Sequence, residues 1–537
     1  MLDMKTSNYA KKIINDLNTD HFNNLTDNFN FAIKRDGEKI AFSCLGQDIT
    51  FDELDRLSKQ FGAYLRCECG LNAGERIAIQ IPNLIQYPIV AWGAIHAGLV
   101  IVNTNPLYTE RELLHQFNDS GAKVLVVLAD LLGMIEKVVP QTNIDLVIST
   151  HAIDMIEPKP KPLSSLKKLI SLPDALEAGK SQELPNIAST MESIAVLQYT
   201  GGTTGAAKGA VLTHGNFFAS AAISTQAFQD ISKKELSISP MPLYHVYGFL
   251  VHVISGVLNG NQSVLIPDPR DTDGLILTMK KYPFTLFAGI NTLFTSLLEH
   301  PEFDTIDFSY LERVVAGGTA LIEEIAIEWE QRTDSIIYEG YGLSETSATC
   351  TVNTEESRQL GTVGPAMITT QLKVIDADGK ELSNGKEGEL LIRGPQVMIG
   401  YWNKPEATAE SLDKEGWFRT GDVAVIQDDG HIRIVDRIKD MIIVSGFNVY
   451  PNEVEAVVYD HPDVLECAAI GIADKKTDEA IKLFVNSKNP KLTVEELQQF
   501  CRKNLTPYKV PKYIEFLDDL PKSNVGKILR RELRDSH

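Results

Sequence analysis

The chain has 537 residues, of which 43% are hydrophobic and 23% are charged, so it has the composition of a soluble globular protein and the length for several domains. The formal net charge of −21 argues against a nucleic-acid partner, because binding to a duplex depends on clustered Lys and Arg side chains that neutralise phosphates. Six cysteines are too few for a disulfide framework, which indicates the cytoplasm, and the pair Cys67 and Cys69 lacks a second Cys or His pair at metal-ligand spacing.

Helix and strand patterns alternate along the chain up to about Leu360. Thr50 precedes two acids and then apolar residues at helical spacing, which predicts a helix over 51–65. The Lys-, Pro- and Ser-rich segment 151–184 is interpreted as an insertion or linker. Short β-branched runs between helical patterns predict parallel sheets covered by helices. These runs are residues 76–81, 123–127, 146–148, 285–288 and 313–316.

One uncharged stretch has the length of a membrane span. Residues 237–267 contain no Asp, Glu, Lys or Arg, and a span needs about 20 residues. Pro240, Pro242 and Asn259 interrupt the stretch, so it predicts a buried helix, a turn and a strand over 263–266. No apolar segment of a secretory signal follows Met1, so we expect a protein that is not exported.

The pattern changes after about Leu360. Short strands with Gly turns, as in 386–394 and 428–435, predict a small antiparallel sheet or barrel. Past Asp440 the pattern indicates a compact α+β segment. Thr493 and Glu496 have the spacing of a capping box, which predicts the start of a helix.

A loop rich in glycine and threonine follows the predicted strand 194–198. Residues 199–209 contain four glycines, which let backbone N–H groups approach an anion, together with three threonines and Lys208. This composition suits phosphate. The loop is not a Walker loop, because Gly209 rather than Ser or Thr follows Lys208. From the loop alone, a glycine-rich surface turn is an equal alternative.

Further motifs follow in a fixed order along the chain. They are the segments 242–245, 338–346, 420–422, 436–440 and 521–527. With the glycine-rich loop they resemble the signature of the adenylate-forming superfamily, which includes acyl-CoA synthetases, firefly luciferases and peptide-synthetase adenylation domains. Within it, the chain looks most like bacterial long-chain fatty-acid–CoA ligases.

The resemblance implies an α/β multidomain architecture. A large N-terminal domain, residues 1–436, is expected to contain two helix-covered sheets plus a small β-barrel at about 360–436. A hinge at 437–440 then leads to a mobile α+β C-terminal lid, residues 441–537. Asp478 stands where many relatives have Gly, which puts a tight turn of the lid in doubt.

The resemblance also implies the activation of a carboxylic acid by ATP. A thiol cannot usefully displace oxide from a carboxylate, whereas the thiol of CoA can displace AMP from a mixed anhydride. The implied catalytic residues are Lys527, His245, Glu345 and Thr200, and the implied Mg²⁺ ligands are Glu345 and Thr200. From the residues alone, Glu345 could equally cap a helix.

In the implied nucleotide site, Tyr341 stacks on adenine opposite the Gly317 segment, Asp422 accepts hydrogen bonds from ribose, and Arg437 donates to ribose or phosphate. The full set is Tyr199, Thr200, Gly201, Gly202, Thr203, Thr204, Gly205, Lys208, Gly317, Gly318, Thr319, Glu339, Gly340, Tyr341, Gly342, Thr346, Asp422, Arg437, Lys439, Gly446 and Lys527.

The implied substrates are a fatty acid, ATP and CoA. His245 is placed at the fatty-acid carboxylate, although a histidine beside an apolar run is usually structural. The expected acyl-site residues besides His245 are Val246, Tyr247, Gly248, Phe249, Thr292 and Leu293. The alternatives are a ligase for an aryl or medium-chain acid and a non-catalytic lipid-binding protein of the same fold. Peripheral association with the inner face of the membrane and a homodimer stay open.

Overall fold

The structure is a computed structural model that describes residues 6–157, 159, 162, 164–200, 207–228, 234–445, 447–474, 476–523 and 526–535. In these residues the strands form four sheets. The strands are β1 Ile40–Cys44, β2 Gln47–Thr50, β3 Arg76–Gln80, β4 Val100–Asn103, β5 Val124–Leu128, β6 Leu146–Thr150, β7 Leu169–Ser171, β8 Ile194–Thr200, β9 Lys208–Thr213, β10 Leu236–Ser239, β11 Gln262–Leu265, β12 Leu286–Gly289, β13 Arg313–Ala316, β14 Ile337–Tyr341, β15 Thr351–Val352, β16 Gln371–Ile375, β17 Glu387–Arg393, β18 Phe418–Ile426, β19 Ile432–Arg437, β20 Ile442–Val444, β21 Phe447–Val449, β22 Val464–Asp474, β23 Asp478–Ser487 and β24 Tyr513–Phe516.

The helices cover the sheets. They are α1 Asn8–Leu17, α2 Leu25–Asp36, α3 Phe51–Ala63, α4 Gln86–His96, α5 Glu110–Ser120, α6 Leu132–Val138, α7 Leu172–Lys180, α8 His214–Phe228, α9 Val246–Gly248, α10 Gly256–Asn259, α11 Thr272–Lys281, α12 Asn291–Leu298, α13 Glu323–Thr333, α14 Pro405–Ser411, α15 Pro451–Tyr459, α16 Val494–Asn504 and α17 Arg530–Asp535.

Two large sheets form the N-terminal part, as predicted. The seven-stranded sheet has the order β7-β6-β5-β3-β4-β8-β9, and its neighbours are parallel apart from β8 and β9. The eight-stranded sheet has the order β15-β14-β13-β12-β10-β11-β1-β2, with antiparallel pairs at its two ends. The glycine-rich loop joins β8 to β9, and its residues 201–206 lie outside the described part of the chain.

The uncharged stretch 237–267 folds inside the N-terminal part. It contributes β10, α9, a π-helical stretch over Phe249–Ser255, α10 and β11. This confirms the predicted buried helix, turn and strand. Within the described residues, no helix combines the length and the apolar character that crossing a membrane requires.

The segment 151–184 was predicted as an insertion or linker, and for its second half this is wrong. Residues 169–171 form β7, the edge strand of the seven-stranded sheet, and α7 follows. Leu172, Ala175 and Leu176 are buried at helical spacing, and Ser171 caps the helix by accepting a hydrogen bond from the Asp174 N–H. The polar composition of the first half had obscured this pattern.

Two smaller sheets follow the two large ones along the chain. Strands β16 to β19 form a four-stranded antiparallel sheet, the small sheet predicted after Leu360. The lid sheet has the order β21-β20-β23-β22, with β24 parallel to β23. Thr493 and Glu496 form the predicted capping box at α16. Asp478 has φ +63°, so an aspartate occupies the left-handed conformation that suits glycine, which Asp tolerates better than most residues.

Candidate active site

A cavity of about 1900 Å³ lies between the N-terminal part and the lid. Strands β10, β12, β13 and β14 are parallel neighbours, so their carboxyl ends meet at one edge of the eight-stranded sheet. The end of β14 brings Tyr341 to the cavity wall, and the loops that leave β10 and β13 bring His245 and Gly317 there. The eight-stranded sheet therefore gathers motifs that are far apart in the sequence.

At this edge Gly318 takes a left-handed backbone conformation that would strain other residues, whereas a Cβ at Gly317 would make only an ordinary contact. A Cβ at Gly317 would lie 3.4 Å from the Gly340 carbonyl oxygen, and Gly318 has φ +84°. Such a backbone leaves a flat wall beside Tyr341.

The carboxylate of Asp422 joins two predicted nucleotide residues. Its Oδ2 accepts a hydrogen bond of 2.5 Å from the Tyr341 hydroxyl, and its Oδ1 lies 3.2 Å from Nε of Arg437. Asp422 and Arg437 are also paired across β18 and β19. Burial, and then the charge of Asp422, hold the pKa of Tyr341 well above its usual value. The Tyr341 hydroxyl is thus a neutral hydrogen-bond donor, and this bond fixes the position of the ring.

Tyr401 connects two further predicted residues. Its hydroxyl donates a hydrogen bond of 2.7 Å to Oε1 of Glu345, and Nζ of Lys208 lies 5.1 Å from the centre of its ring. Burial raises the pKa of Glu345. Sequence reasoning did not single out Tyr401, because its position depends on a backbone bridge to Ala210 in a distant part of the chain.

Lys527 of the lid lines the same cavity as His245. Burial, and then the positive charge of Arg437, lower the pKa of Lys527 to about 8. Burial also lowers the pKa of His245 to about 4, and the charge of Lys527 adds to this effect. His245 is therefore neutral near pH 7. Its Nδ1 accepts a hydrogen bond of 3.4 Å from the Tyr247 N–H.

The lid is docked against the N-terminal part by close contacts. The Asn452 N–H donates a hydrogen bond of 2.9 Å to Oδ2 of Asp436, and Nζ of Lys488 lies 3.0 Å from Oε1 of Glu299. A Cβ at Gly526 would lie 2.4 Å from Oγ1 of Thr292. These contacts hold the Lys527 end of the lid at the cavity.

The predicted residues fall into three groups. Lining the cavity are Tyr199, Thr200, Lys208, His245, Val246, Tyr247, Gly317, Gly318, Gly340, Tyr341, Gly342, Glu345, Arg437, Lys439 and Lys527. Described residues that do not line it are Gly248, Phe249, Thr292, Leu293, Thr319, Glu339, Thr346 and Asp422. Residues Gly201, Gly202, Thr203, Thr204, Gly205 and Gly446 lie outside the described residues.

Some predicted residues that do not line the cavity have other contacts. Phe249 is fully buried and packs edge-on against Tyr87 and Phe217. The Oε1 atom of Glu339 accepts a hydrogen bond of 3.0 Å from the Leu321 N–H, and burial raises the pKa of Glu339 to about 8.

Part of the cavity is a channel along one face of the eight-stranded sheet. Alternate residues of β12 and β13 form its floor, namely Leu286, Ala288, Arg313 and Val315, because successive side chains of a strand point to opposite faces. The intervening residues, among them Phe287 and Val314, are buried in the core on the other face. The π-helical stretch contributes the roof through Leu250, Val251 and Ser255, together with Ser224, Thr225 and Phe228 of α8.

The channel runs from the carboxyl edge of the sheet to its amino edge. Ser263, Ser237, Leu286 and Arg313 lie side by side in the strand register at the amino edge, whereas Gly317 lies at the carboxyl edge. A strand rises about 3.3 Å per residue, so the four steps along the chain from Arg313 to Gly317 span about 13 Å. Sequence reasoning placed the acyl wall at residues 245–249 and at Thr292 and Leu293, and it missed this floor, which depends on strand order.

The side chains at the cavity suit a metal ion that takes most of its ligands from a bound substrate and from water. In the described parts of the chain, no three His, Cys, Asp or Glu side chains are grouped to hold a metal, and the six cysteines are free. Glu345 lies at the cavity, and a single carboxylate fits Mg²⁺, which takes its remaining ligands from phosphate oxygens and water.

Comparison with known proteins extends over both parts of the chain. Residues 29–402 match the model of the AMP-binding enzyme family, and residues 453–527 match that of the AMP-binding enzyme C-terminal domain. A long-chain-fatty-acid–CoA ligase of Escherichia coli O157:H7 is 44% identical over 98% of this chain and 97% of its own length. The enzyme of that name from Bacillus subtilis strain 168 is 37% identical over 92% of this chain and 91% of its own.

Solved structures share the fold. ATP-bound MatB from Rhodopseudomonas palustris superposes with a TM-score of 0.84 at 26% identity, over 96% of this chain and 99% of MatB. The anthranilate CoA ligase AuaEII in complex with anthranoyl-AMP has a TM-score of 0.87 at 24% identity, over 96% of this chain and 97% of its own, which bears on the fold alone. With its motifs gathered at one sheet edge and matches over both parts, the chain belongs to the AMP-binding enzyme family.

Proposed function

We propose that the protein is a long-chain-fatty-acid–CoA ligase, which converts a fatty acid, ATP and CoA into acyl-CoA, AMP and pyrophosphate. The observation that carries the proposal is one continuous cavity that joins Lys527, His245 and the nucleotide motifs to the channel over the eight-stranded sheet. The names of the relatives from Escherichia coli and Bacillus subtilis support the choice of acid.

In the proposal, ATP binds at the carboxyl edge of the sheet. Adenine packs against Tyr341 beside Gly317, where the absence of a side chain allows close approach. Arg437 donates to ribose or phosphate, and Asp422, which does not line the cavity, holds Arg437 and the Tyr341 hydroxyl in place. The glycine-rich loop and Lys208 bind the phosphates.

The first half-reaction joins the acid to AMP. A carboxylate oxygen attacks the α-phosphorus and pyrophosphate leaves. Lys527 supplies positive charge where negative charge develops, and neutral His245 lies at the carboxylate without repelling the ammonium group. Mg²⁺, when bound with ATP at Glu345 and Thr200, supplies charge neutralisation at the phosphates.

The second half-reaction transfers the acyl group to CoA. The thiol sulfur attacks the carbonyl carbon, the thiol proton passes to solvent water, and AMP leaves with the electron pair of the broken C–O bond. In the proposal the lid rotates about the hinge 437–440 before the thiol enters, since Lys527 lines the cavity while the lid is docked.

The proposal also covers the location of the protein in the cell and its oligomeric state. We place it in the cytoplasm, in peripheral association with the inner face of the membrane, because long-chain acids partition into bilayers. A homodimer stays a prediction.

The experiment that tests the proposal is an acid panel. AMP formation in the presence of CoA is measured with octanoate, laurate, palmitate, stearate and a cinnamate-type acid. We expect the highest kcat/KM with a long saturated acid. Preference for the cinnamate or for octanoate would replace the fatty-acid assignment by an aryl- or medium-chain-acid ligase, and no AMP with any acid would favour a lipid-binding protein.

A further inference from the structure

A bar of polar side chains crosses the inner end of the channel at the amino edge of the sheet. Arg313 begins β13 on the channel floor, and its Nη1 donates a hydrogen bond of 2.6 Å to Oε1 of Glu235. Its Nη2 donates to the carbonyl oxygen of Phe228 in the roof, and the guanidinium carbon lies 5.0 Å from the centre of the Phe228 ring. The Arg313 side chain thus spans the channel from floor to roof.

Neighbouring residues fix this bar from the other side. Oε2 of Glu235 accepts a hydrogen bond of 3.0 Å from Nδ2 of Asn261, the residue before β11. Nδ2 of Asn259 donates to Oγ1 of Thr225 at 2.9 Å, which ties the end of α10 to the roof helix α8. All of these residues line the cavity. The bar therefore connects β11, β13 and α8 across the width of the channel.

We propose that Arg313, held by Glu235, sets the longest acyl chain that the channel accepts. This inference rests on the proposed function and adds a specificity-determining residue to it. Each methylene group that leaves water for the channel strengthens binding about fourfold. Once the methyl end of the acyl chain reaches Arg313, further methylene groups add no binding free energy. To pass, the chain would have to break the hydrogen bonds of the charged guanidinium, and a methyl group cannot replace them.

The chain-length profile of kcat/KM tests the inference. AMP formation is measured with laurate, palmitate, stearate, arachidate and behenate in the wild type and in Arg313→Met, which keeps an apolar stem over Phe228 and removes the guanidinium. We expect the ratio of kcat/KM for behenate to that for laurate to rise at least tenfold, about the gain from two further methylenes.

Arg332 offers a matched control. It also donates to carboxylates, at 2.9 Å to Asp304 and to Glu328, and its guanidinium carbon lies 4.7 Å from the centre of the Phe303 ring. It is not among the described residues that line the cavity, so Arg332→Met should keep the wild-type ratio.

A second variant covers the case in which Arg313→Met does not fold. Glu235→Gln keeps the shape of the side chain and removes the charge that holds the guanidinium, so the ratio should shift in the same direction. A wild-type ratio in the folded variants, from a wild type that does activate fatty acids, would overturn the inference and leave the proposed function standing. A wild type that activates none of the five acids would overturn both.

Discussion

The hydroxyl of Tyr401 donates a hydrogen bond of 2.7 Å to Oε1 of Glu345, and the ring of the same tyrosine lies 5.1 Å from Nζ of Lys208. One side chain thus orients the acid proposed to bind Mg²⁺ and the lysine proposed to bind phosphate. A carboxylate held by a neutral donor keeps its second oxygen available to a cation.

Tyr401→Phe should weaken this arrangement while keeping the ring beside Lys208. Because the variant loses a hydrogen bond to a charged group, we expect the rate of ATP–pyrophosphate exchange to fall about tenfold. The Mg²⁺ concentration for half-maximal exchange should rise as well, which a general loss of stability would not cause. Tyr9→Phe is the control, because its hydroxyl donates at 2.9 Å to the Thr369 carbonyl oxygen, away from the cavity. An unchanged Mg²⁺ dependence in Tyr401→Phe would contradict the role.

Lys527→Ala should separate the two half-reactions. The lysine supplies charge to adenylation from the docked lid, so we expect pyrophosphate exchange to fall at least about 10²-fold. Conversion of a supplied acyl-adenylate and CoA into acyl-CoA should continue, because it is proposed to occur with the lid rotated. Lys512→Ala, which removes an exposed lysine of the lid paired with Asp474, is the control. Equal loss of both half-reactions would point to a role in folding or substrate binding.

The pH dependence of adenylation should follow Lys527. Its pKa is lowered to about 8, so the ammonium form that carries the charge predominates below pH 8 and is lost as the pH rises through that value. We expect pyrophosphate exchange to decline over the same range. Lys527→Arg should remove the decline, whatever its absolute rate, because a guanidinium stays protonated there. A decline of the same shape in both proteins would assign it to another group.

Lys439→Pro should trap one position of the lid. Lys439 lies in the single 3-10 turn Ile438–Asp440 between β19 and β20, where proline fixes φ near −65°. We expect one half-reaction to keep its rate and the other to be lost, as measured by pyrophosphate exchange and by thioester formation from acyl-adenylate. Lys439→Ala removes the same side chain without the constraint. Wild-type rates of both half-reactions in the proline variant would rule out this hinge position.

Gly248→Ala should destabilise the loop that carries His245. A Cβ at this position would lie 2.3 Å from the Pro242 carbonyl oxygen, a backbone atom that cannot move aside alone. Overpacking of this kind lowers the free energy of unfolding by about 1–3 kcal/mol, measurable by denaturant titration. Gly133→Ala is the matched control, since nothing lies within 4 Å of a Cβ there and alanine favours the helix. Equal stability of the two variants would contradict the steric argument.

Sequence reasoning succeeded where the signal was local. Residues close together in the chain determine the strands of the parallel sheets, the capping box at Thr493 and the order of the motifs. The structure agrees with the predicted sheets and cap. Tyr401 and Arg313 could not be found in this way. Tyr401 owes its place to a bridge with Ala210, and Arg313 is on the channel floor because β13 lies beside β12.

The second half of 151–184 shows a different limit. Its helix α7 was hidden because the composition of the whole segment was dominated by its polar first half. Asp478 shows that an unfavourable residue type need not abolish a turn, since the chain there keeps a positive φ without glycine.

The close approach of Gly526 to Thr292 gives the docked lid a fixed end point. Gly526 has φ +73° and no side chain, so the main chain of the lid packs directly against the N-terminal part. Because glycine has no side chain, no rotamer change at this residue can alter the contact. In the rotation that we propose, the lid would return to the same position at each docking. Lys527 is the next residue in the chain, so its Cα is held in place by the same contact. The distance that its ammonium group can extend into the cavity is then set by the length of its side chain.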